Sequence, residues 1–187
     1  MEKYNKHIDI TRDSISNIPK NIESISKFQS HSRIIFCTMG KSAFACRKIV
    51  YTARSYGLDW HDLDVCHAFH GDIGIIKPGD LLVMVSKSGE TAETISVAKY
   101  FSEYESISMT SNANSTLSRL CKNNIDIPVE SEESPFGYAP MISTVLYMVV
   151  LHGIMCEVIE SSNITIDDYA RNHPGGSIGK RIANAKK

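Results

Sequence analysis

No two cysteines in this 187-residue chain form a Cys-x-x-Cys pair, and the five present (Cys37, Cys46, Cys66, Cys121 and Cys156) are odd in number. Most lie in apolar stretches, which suits reduced core thiols in a reducing compartment, the cytoplasm. Charge of one sign is lacking too: 20 Lys and Arg stand against 21 Asp and Glu, a formal net charge of -1. No global field gathers nucleic acid or holds the chain on an anionic membrane, so any anion must be bound locally. The opening stretch MEKYNKHIDITRDSISNIPK has no apolar h-region, and no signal peptide is expected. Internal repeats, low-complexity tracts and Pro/Gly/Ser-rich linkers are absent, and the length fits one domain that needs no metal or disulfide staple.

Long hydrophobic runs are scarce. The exception is MISTVLYMVVLHGIMCEVI, residues 141–159, long enough to span a bilayer. His152 and Glu157 interrupt it and no Lys or Arg cluster flanks it, so a helix buried on most of its circumference is expected, with no membrane contact.

What is present is an alternation. Strand-like RIIFCTM (33–39), DLLVMVS (80–86), SISMTS (106–111) and NIDIPV (124–129) are each followed by a helix-like stretch, the last by the long apolar one. Continuous apolar strands with helices between them indicate an α/β fold, a doubly wound parallel sheet flanked by helices on both faces. Ahead of it, Ile15, Ile18, Ile22 and Ile25 recur at helical spacing around Pro19, which predicts a covering helical segment over residues 1–30 and a single domain over 31–187.

Ligands of such sheets bind outside the carboxyl ends of the strands. Three strand-to-helix loops share a composition: TMGKSA with Gly40, Lys41 and Ser42; SKSGET with Ser86, Ser88, Gly89, Glu90 and Thr91; and TSNANST with Ser115. Free N–H groups at a helix start, glycine and hydroxyl donors together make a cradle for a small phosphomonoester. Helix capping is the plainer reading of any one of them; three at one sheet edge favour phosphate. GKS here is not a P-loop, since position 35, where that motif needs glycine, is Ile35. G-x-G-x-x-G is also missing after the first strand, so neither ATP nor a dinucleotide is expected.

TMGKSAFACRKI, FHGDIGIIKPGDLLVMVSKSGETAETI, TSNANSTLSRL, FGYAP and HPGGSIGKRI occur in that order, from about residue 33 to 182. Together they resemble the sugar isomerase (SIS) domain of the D-arabinose 5-phosphate isomerases. The resemblance implies interconversion of D-ribulose 5-phosphate and D-arabinose 5-phosphate for 3-deoxy-D-manno-octulosonate synthesis. It also implies no cofactor, and a homo-oligomer, a tetramer, with active sites between subunits. Carried over by position, it assigns catalysis to Lys41, Glu90, Glu132 and His173, with His70 of FHGD near the site. Many members continue into a pair of CBS modules; this chain ends a few residues after GKRI and is expected to be a form without them. After YAP the family commonly runs rich in Ser and Thr, whereas MISTVL leaves Ser143 and Thr144.

Moving a carbonyl between C1 and C2 requires a base to take a carbon-bound proton through an enediol. A carboxylate with a raised pKa suits that shuttle, with Glu132 the candidate and Glu90 the rival. Lys41 can stabilise the enediolate oxygen, and His173 can move protons between oxygens or assist ring opening. Composition alone reads Lys41 as solvent-facing, Glu132 in VESEES as part of a solvated loop and His173 as structural. His61, Asp64, Cys66, His67 and His70 are ligand types without a standard zinc spacing, so no required metal is expected. Two other readings stay open: a non-catalytic phosphosugar sensor, and a related isomerase of a different phosphosugar.

Overall fold

Residues 1–185 are described by the computed structural model; the last two residues assigned to the 31–187 domain lie outside the described residues. Strands β1 (Arg33–Thr38), β2 (Asp59–Asp64), β3 (Leu81–Val85), β4 (Glu105–Thr110) and β5 (Asn123–Asp126) form one sheet in the order β2-β1-β3-β4-β5, every pairing parallel. Alternating side chains divide the core in two. Ile34, Phe36, Leu81, Val83 and Ile107 face α3 (Gly40–Ser55) and α6 (Ile142–Ser161), while Ile35, Cys37, Leu82 and Met84 face α4 (Ala92–Tyr100) and α5 (Thr116–Leu120). Burying both faces is what makes these strands continuously apolar.

The chain leaves β1 into α3 on one face and leaves the adjacent β3 into α4 on the other. Such a switch point opens a crevice at the carboxyl rim, and the loops after β1 and β3 border it.

Three features differ from the sequence reading. β2 carries no clear strand pattern, because DWHDLD offers only Trp60 and Leu63 to the core; it is an edge strand on which the other side chains stay wet. Trp60 anchors it, with ring centroids 5.6 Å from Phe36 and 6.2 Å from Phe28. The N-terminal segment is two helices, α1 (Glu2–Ser16) and α2 (Ile25–Ser30), and Pro19 lies in the link between them. Ile18, Ile22 and Ile25 pack on the core, whereas α1 buries none of its residues. The segment after the long helix folds as α7 (Ile166–Asn172) and α8 (Gly176–Ala185).

The long helix α6 is apolar enough to cross a membrane by length and composition, yet half of that window is buried in the domain. Leu146, Tyr147, Val150, Leu151, Ile154 and Val158 form its inner stripe.

Candidate functional site

At the rim, the Thr38 hydroxyl donates to the Val85 carbonyl (3.1 Å) and ties the ends of β1 and β3 together. Gly40 then takes a left-handed φ of +61° and opens α3, leaving Lys41 exposed with no ion pair or hydrogen bond among the described residues, and Ser42 half-buried. The loop after β3 is closed by its own hydroxyls. Ser86 Oγ and Thr91 Oγ1 lie 2.8 Å apart, Ser86 Oγ accepts from Gly89 N (3.2 Å), and Ser88 Oγ accepts from Glu90 N (3.1 Å).

This loop is clamped to the start of α5. Gly89, at φ +68°, leaves no room for a Cβ, which would stand 2.2 Å from Ser115 Oγ. Ser115 is fully buried, and its hydroxyl accepts from Ser118 N (3.2 Å) and donates to Ser118 Oγ (2.9 Å), so it acts as a helix cap. Leu117 N donates to the Gly89 carbonyl (3.1 Å), and Thr116 N donates to Glu90 Oε1 (2.7 Å). Glu90 is exposed, and the Thr116 amide holds its carboxyl below the ordinary range.

Glu132, in the connection from β5 to α6, is 2% exposed. Its Oε2 accepts from the backbone N–H groups of Met141 (2.8 Å) and Ser143 (3.1 Å), where the start of α6 has free donors and the positive end of its dipole. Its Oε1 pairs with Lys87 Nζ at 3.0 Å, an ion pair that supplies no directed hydrogen bond. The expected raised pKa is overturned. Burial works against the charged form, but Ser143, the Met141 amide and Lys87 together hold the Glu132 carboxyl below its ordinary value. Lys87 is missing from the sequence-based set, since a lysine among hydroxyl residues reads as solvated. Tyr147, fully buried on α6, is missing too; burial and the charges of Cys46 and Glu132 push its phenol up, so it stays protonated.

The rim thus gathers Gly40, Lys41, Ser42, Ser86, Ser88, Gly89, Glu90, Thr91 and Ser115, and Lys87 bridges that rim to Glu132. His173 stands elsewhere within the chain. As the C-cap of α7 it stacks on Tyr169 at 5.5 Å, its Nδ1 lies 3.4 Å from Ser55 Oγ, and it opens onto a groove of about 550 Å³ that also contains Arg47, Tyr51 and Tyr56. Ser55 ends α3 and Lys41 begins it, so the two sites are about 20 Å apart along that helix. Two of the three glycines of HPGGSIGK have a local cause: Gly176 takes φ +67°, and a Cβ on Gly179 would meet the Pro174 carbonyl oxygen at 2.2 Å.

His70 is exposed at the end of a 3-10 turn after β2, and Cys66 at the start of that excursion lies 3.9 Å from Met39 Sδ. His61 is at the amino end of the sheet, 2.7 Å from Asp59 Oδ1 and 3.0 Å from the Arg33 guanidinium. The residues of the His61–His70 stretch are therefore split between opposite ends of β2. Among the described residues no group of three or more His, Cys, Asp or Glu could hold a metal ion.

The SIS domain matches residues 27–155. Arabinose 5-phosphate isomerase KpsF of Escherichia coli O6:H1 is 36% identical over 151 residues, which cover 80% of this chain and 46% of that protein. KdsD of Pseudomonas aeruginosa, also named an arabinose 5-phosphate isomerase, is 33% identical over 152 residues, covering 80% and 47%. The chain spans about half the length of these curated relatives. A structure from E. coli CFT073, solved in complex with arabinose 5-phosphate, superimposes with a TM-score of 0.84 at 26% identity, covering 91% of this chain and 96% of that one. The NanR protein of Vibrio vulnificus, complexed with ManNAc-6P, shares the fold with a TM-score of 0.68 at 18% identity, covering 98% of this chain and 66% of that one. With a domain match over more than half of its residues, the chain belongs to the SIS domain family.

Proposed function

We propose that the chain is an aldose–ketose isomerase of a pentose 5-phosphate, interconverting D-ribulose 5-phosphate and D-arabinose 5-phosphate through an enediol. The observation that carries this reading is Glu132: a buried carboxylate, linked by Lys87 to a hydroxyl loop shaped for a phosphomonoester. The names of the relatives and the arabinose 5-phosphate in the superimposed structure support the same substrate.

The phosphate is received at the rim by the 86–91 loop, Ser42 and the start of α4. Lys41, exposed at the start of α3, offers a cation to the oxygen on which enediolate charge develops. Glu132 removes the proton from C1 of the ketose and returns it to C2. Glu90 shapes the cradle by capping α5. The product would feed 3-deoxy-D-manno-octulosonate synthesis, and five free cysteines accord with a cytoplasmic setting. Residues 1–30 serve as the covering segment and those from 31 onward as the isomerase domain.

In this reading His173 acts on a neighbouring subunit's site, within a homo-oligomer, a tetramer. Supporting it are the distance from Lys41 and the exposed apolar side chains Phe44 and Tyr51 on α3, Val149 on α6, and Phe136 and Tyr138 beside Glu132. Incubation with ribulose 5-phosphate in deuterated water tests the reaction: arabinose 5-phosphate carrying deuterium at C2 is expected. Absence of both product and exchange would select a non-catalytic phosphosugar sensor. That second reading is favoured by one observation, that both candidate carboxylates are already engaged by backbone N–H groups.

A further inference from the structure

Glu132 Oε1, Ser143 Oγ, Tyr147 Oη and Ser111 Oγ are buried without a well-formed hydrogen bond, although Ser143 bears on the Glu132 carboxylate and Ser111, whose amide donates to the Lys87 carbonyl, bears on the Tyr147 phenol. Ser143 and Tyr147 are 1% and 0% exposed and stand one turn apart on the inner side of α6. Buried groups are seldom left so, and a cluster of them beside a carboxylate needs a cause. The ion pair that reaches this niche is lopsided. The Glu132 side chain is 2% exposed and fixed by two amides, whereas that of Lys87 is 38% exposed and belongs to the loop of Ser86, Ser88 and Thr91. One end is held dry, and the other is wet, on a flexible stem.

We propose that Lys87 is a ligand-operated clamp: it holds Glu132 until a phosphomonoester seats in the 86–91 loop, then swings to the phosphate and frees Oε1 to face the substrate carbons. The swing needs only an anion in the loop; what Glu132 does next rests on the isomerase reading. A phosphomonoester carries about 1.5 to 2 negative charges near neutrality, more than the carboxylate it competes with. Once the ammonium leaves, Glu132 keeps its Met141 and Ser143 amides but loses its counter-charge inside a buried pocket. Burial, already the largest influence on it, then raises its proton affinity.

The other groups around Glu132 do not compete for this role. Tyr147 on α6 stays protonated, and the Cys46 thiol on α3 is pushed up to about 12 by burial, so both are neutral. Glu133, the next residue, is occupied by Lys6 of α1 at 3.2 Å, with His7 also bearing on it. Lys87 is the cation in direct contact with Glu132.

The test is a titration of Glu132 by carbon NMR on protein labelled at glutamate carboxyls, with Glu132→Gln to identify the resonance, with and without saturating inorganic phosphate. In the wild type, phosphate is expected to move the titration to higher pH, a gain of about tenfold or more in proton affinity. Lys87→Met is expected to titrate at the higher position already and to move no further with phosphate, while Lys87→Arg responds as the wild type does. A wild-type titration unmoved by bound phosphate overturns the clamp. So does an equal movement in wild type and Lys87→Met, because the charge of the phosphate would then suffice alone. Failure of phosphate to bind, read as no rise in Tm, overturns it too. Should Lys87→Met not fold, the two wild-type titrations decide. No readout uses turnover, so labelled product without the shift refutes the clamp alone, and the shift without product refutes the isomerase reading alone.

Discussion

Replacing Gly89 with alanine strikes the joint on which the anion cradle depends. The new Cβ would stand 2.2 Å from Ser115 Oγ, 2.4 Å from Ser115 Cβ and 3.3 Å from Thr110 Cγ2, on a residue at φ +68°. Ser115 cannot retreat, because it is fully buried and tied to Ser118 through both the amide and the hydroxyl. A left-handed backbone costs a residue with a Cβ about 1–2 kcal/mol, and overpacking a tight contact adds about 1–3, so a loss of about 2–5 kcal/mol is expected. In a domain of this size each kcal/mol moves Tm by about 2–4 °C, which places the fall on the order of 5–15 °C. Thermal melts with and without ribulose 5-phosphate read both consequences, because the displaced loop should also lose protection by the ligand. A second change, Ser115→Gly, removes both atoms nearest the new Cβ while costing its cap only a few tenths of a kcal/mol, so the double variant should be more stable than Gly89→Ala. If Gly89→Ala melts and is protected as the wild type is, or if Ser115→Gly makes it worse, the clamp between the 86–91 loop and α5 is not what shapes the cradle.

Three further outcomes are expected. Glu132→Gln should abolish deuterium incorporation from solvent while ribulose 5-phosphate still raises Tm; full activity in that variant would move the base role to Glu90. Lys41→Met and His173→Ala, each inactive alone, should regain part of the activity when co-refolded, because mixed oligomers contain some sites with both residues; no recovery at any ratio refutes a shared site. Stability should be pH-dependent in a defined direction. Lys27 and Asn123 lower the Glu105 carboxyl against burial; at Asp59 burial is the largest influence and opposes the charge, but His61 and Arg33 together outweigh it. Both carboxylates therefore contribute stability above their unfolded pKa values of about 4 and lose it as pH falls through the folded ones. Lys27→Met should flatten the fall in Tm between about pH 5 and 3, and an unchanged slope would contradict that assignment.

How far the sequence revealed the fold depended on what each segment buries. β1, β3 and β4 announce themselves because both of their faces are covered, and the periodicity of α6 is hidden while its length is not. β2 gives no such signal: on an edge strand the backbone pairing with β1 supplies the regularity, and only Trp60 and Leu63 reach the core. The helix α1 is legible only as part of a covering segment: Tyr4, Ile8 and Ile15 recur on it at helical spacing, yet none of its residues is buried within the chain. α7 carries a capping box, Thr165 with Asp168, that a local reading can find, yet its packing partner is Tyr56 at the far end of α3.

The site divides along the same line. Its loops are legible because three hydroxyl- and glycine-bearing helix starts recur after the strands; any one could be a helix cap, as Ser115 is, but the loops are joined at one rim by Thr38–Val85, Glu90–Thr116 and Gly89–Leu117. The state of Glu132 is not, since its protonation is set by the start of α6 and by a lysine of another loop, partners that only the tertiary fold supplies. A base held below its ordinary pKa is a poor one at rest. An enzyme built this way gains by leaving the carboxylate tied down until a phosphorylated ligand disturbs the pair that holds it, since a sugar lacking the phosphate would then meet an unreactive site. In a sensor the same half-exposed pair would also answer the anion, but the change in proton affinity at Glu132 would then serve no reaction. The Lys87–Glu132 pair is thus more easily explained by turnover than by binding alone.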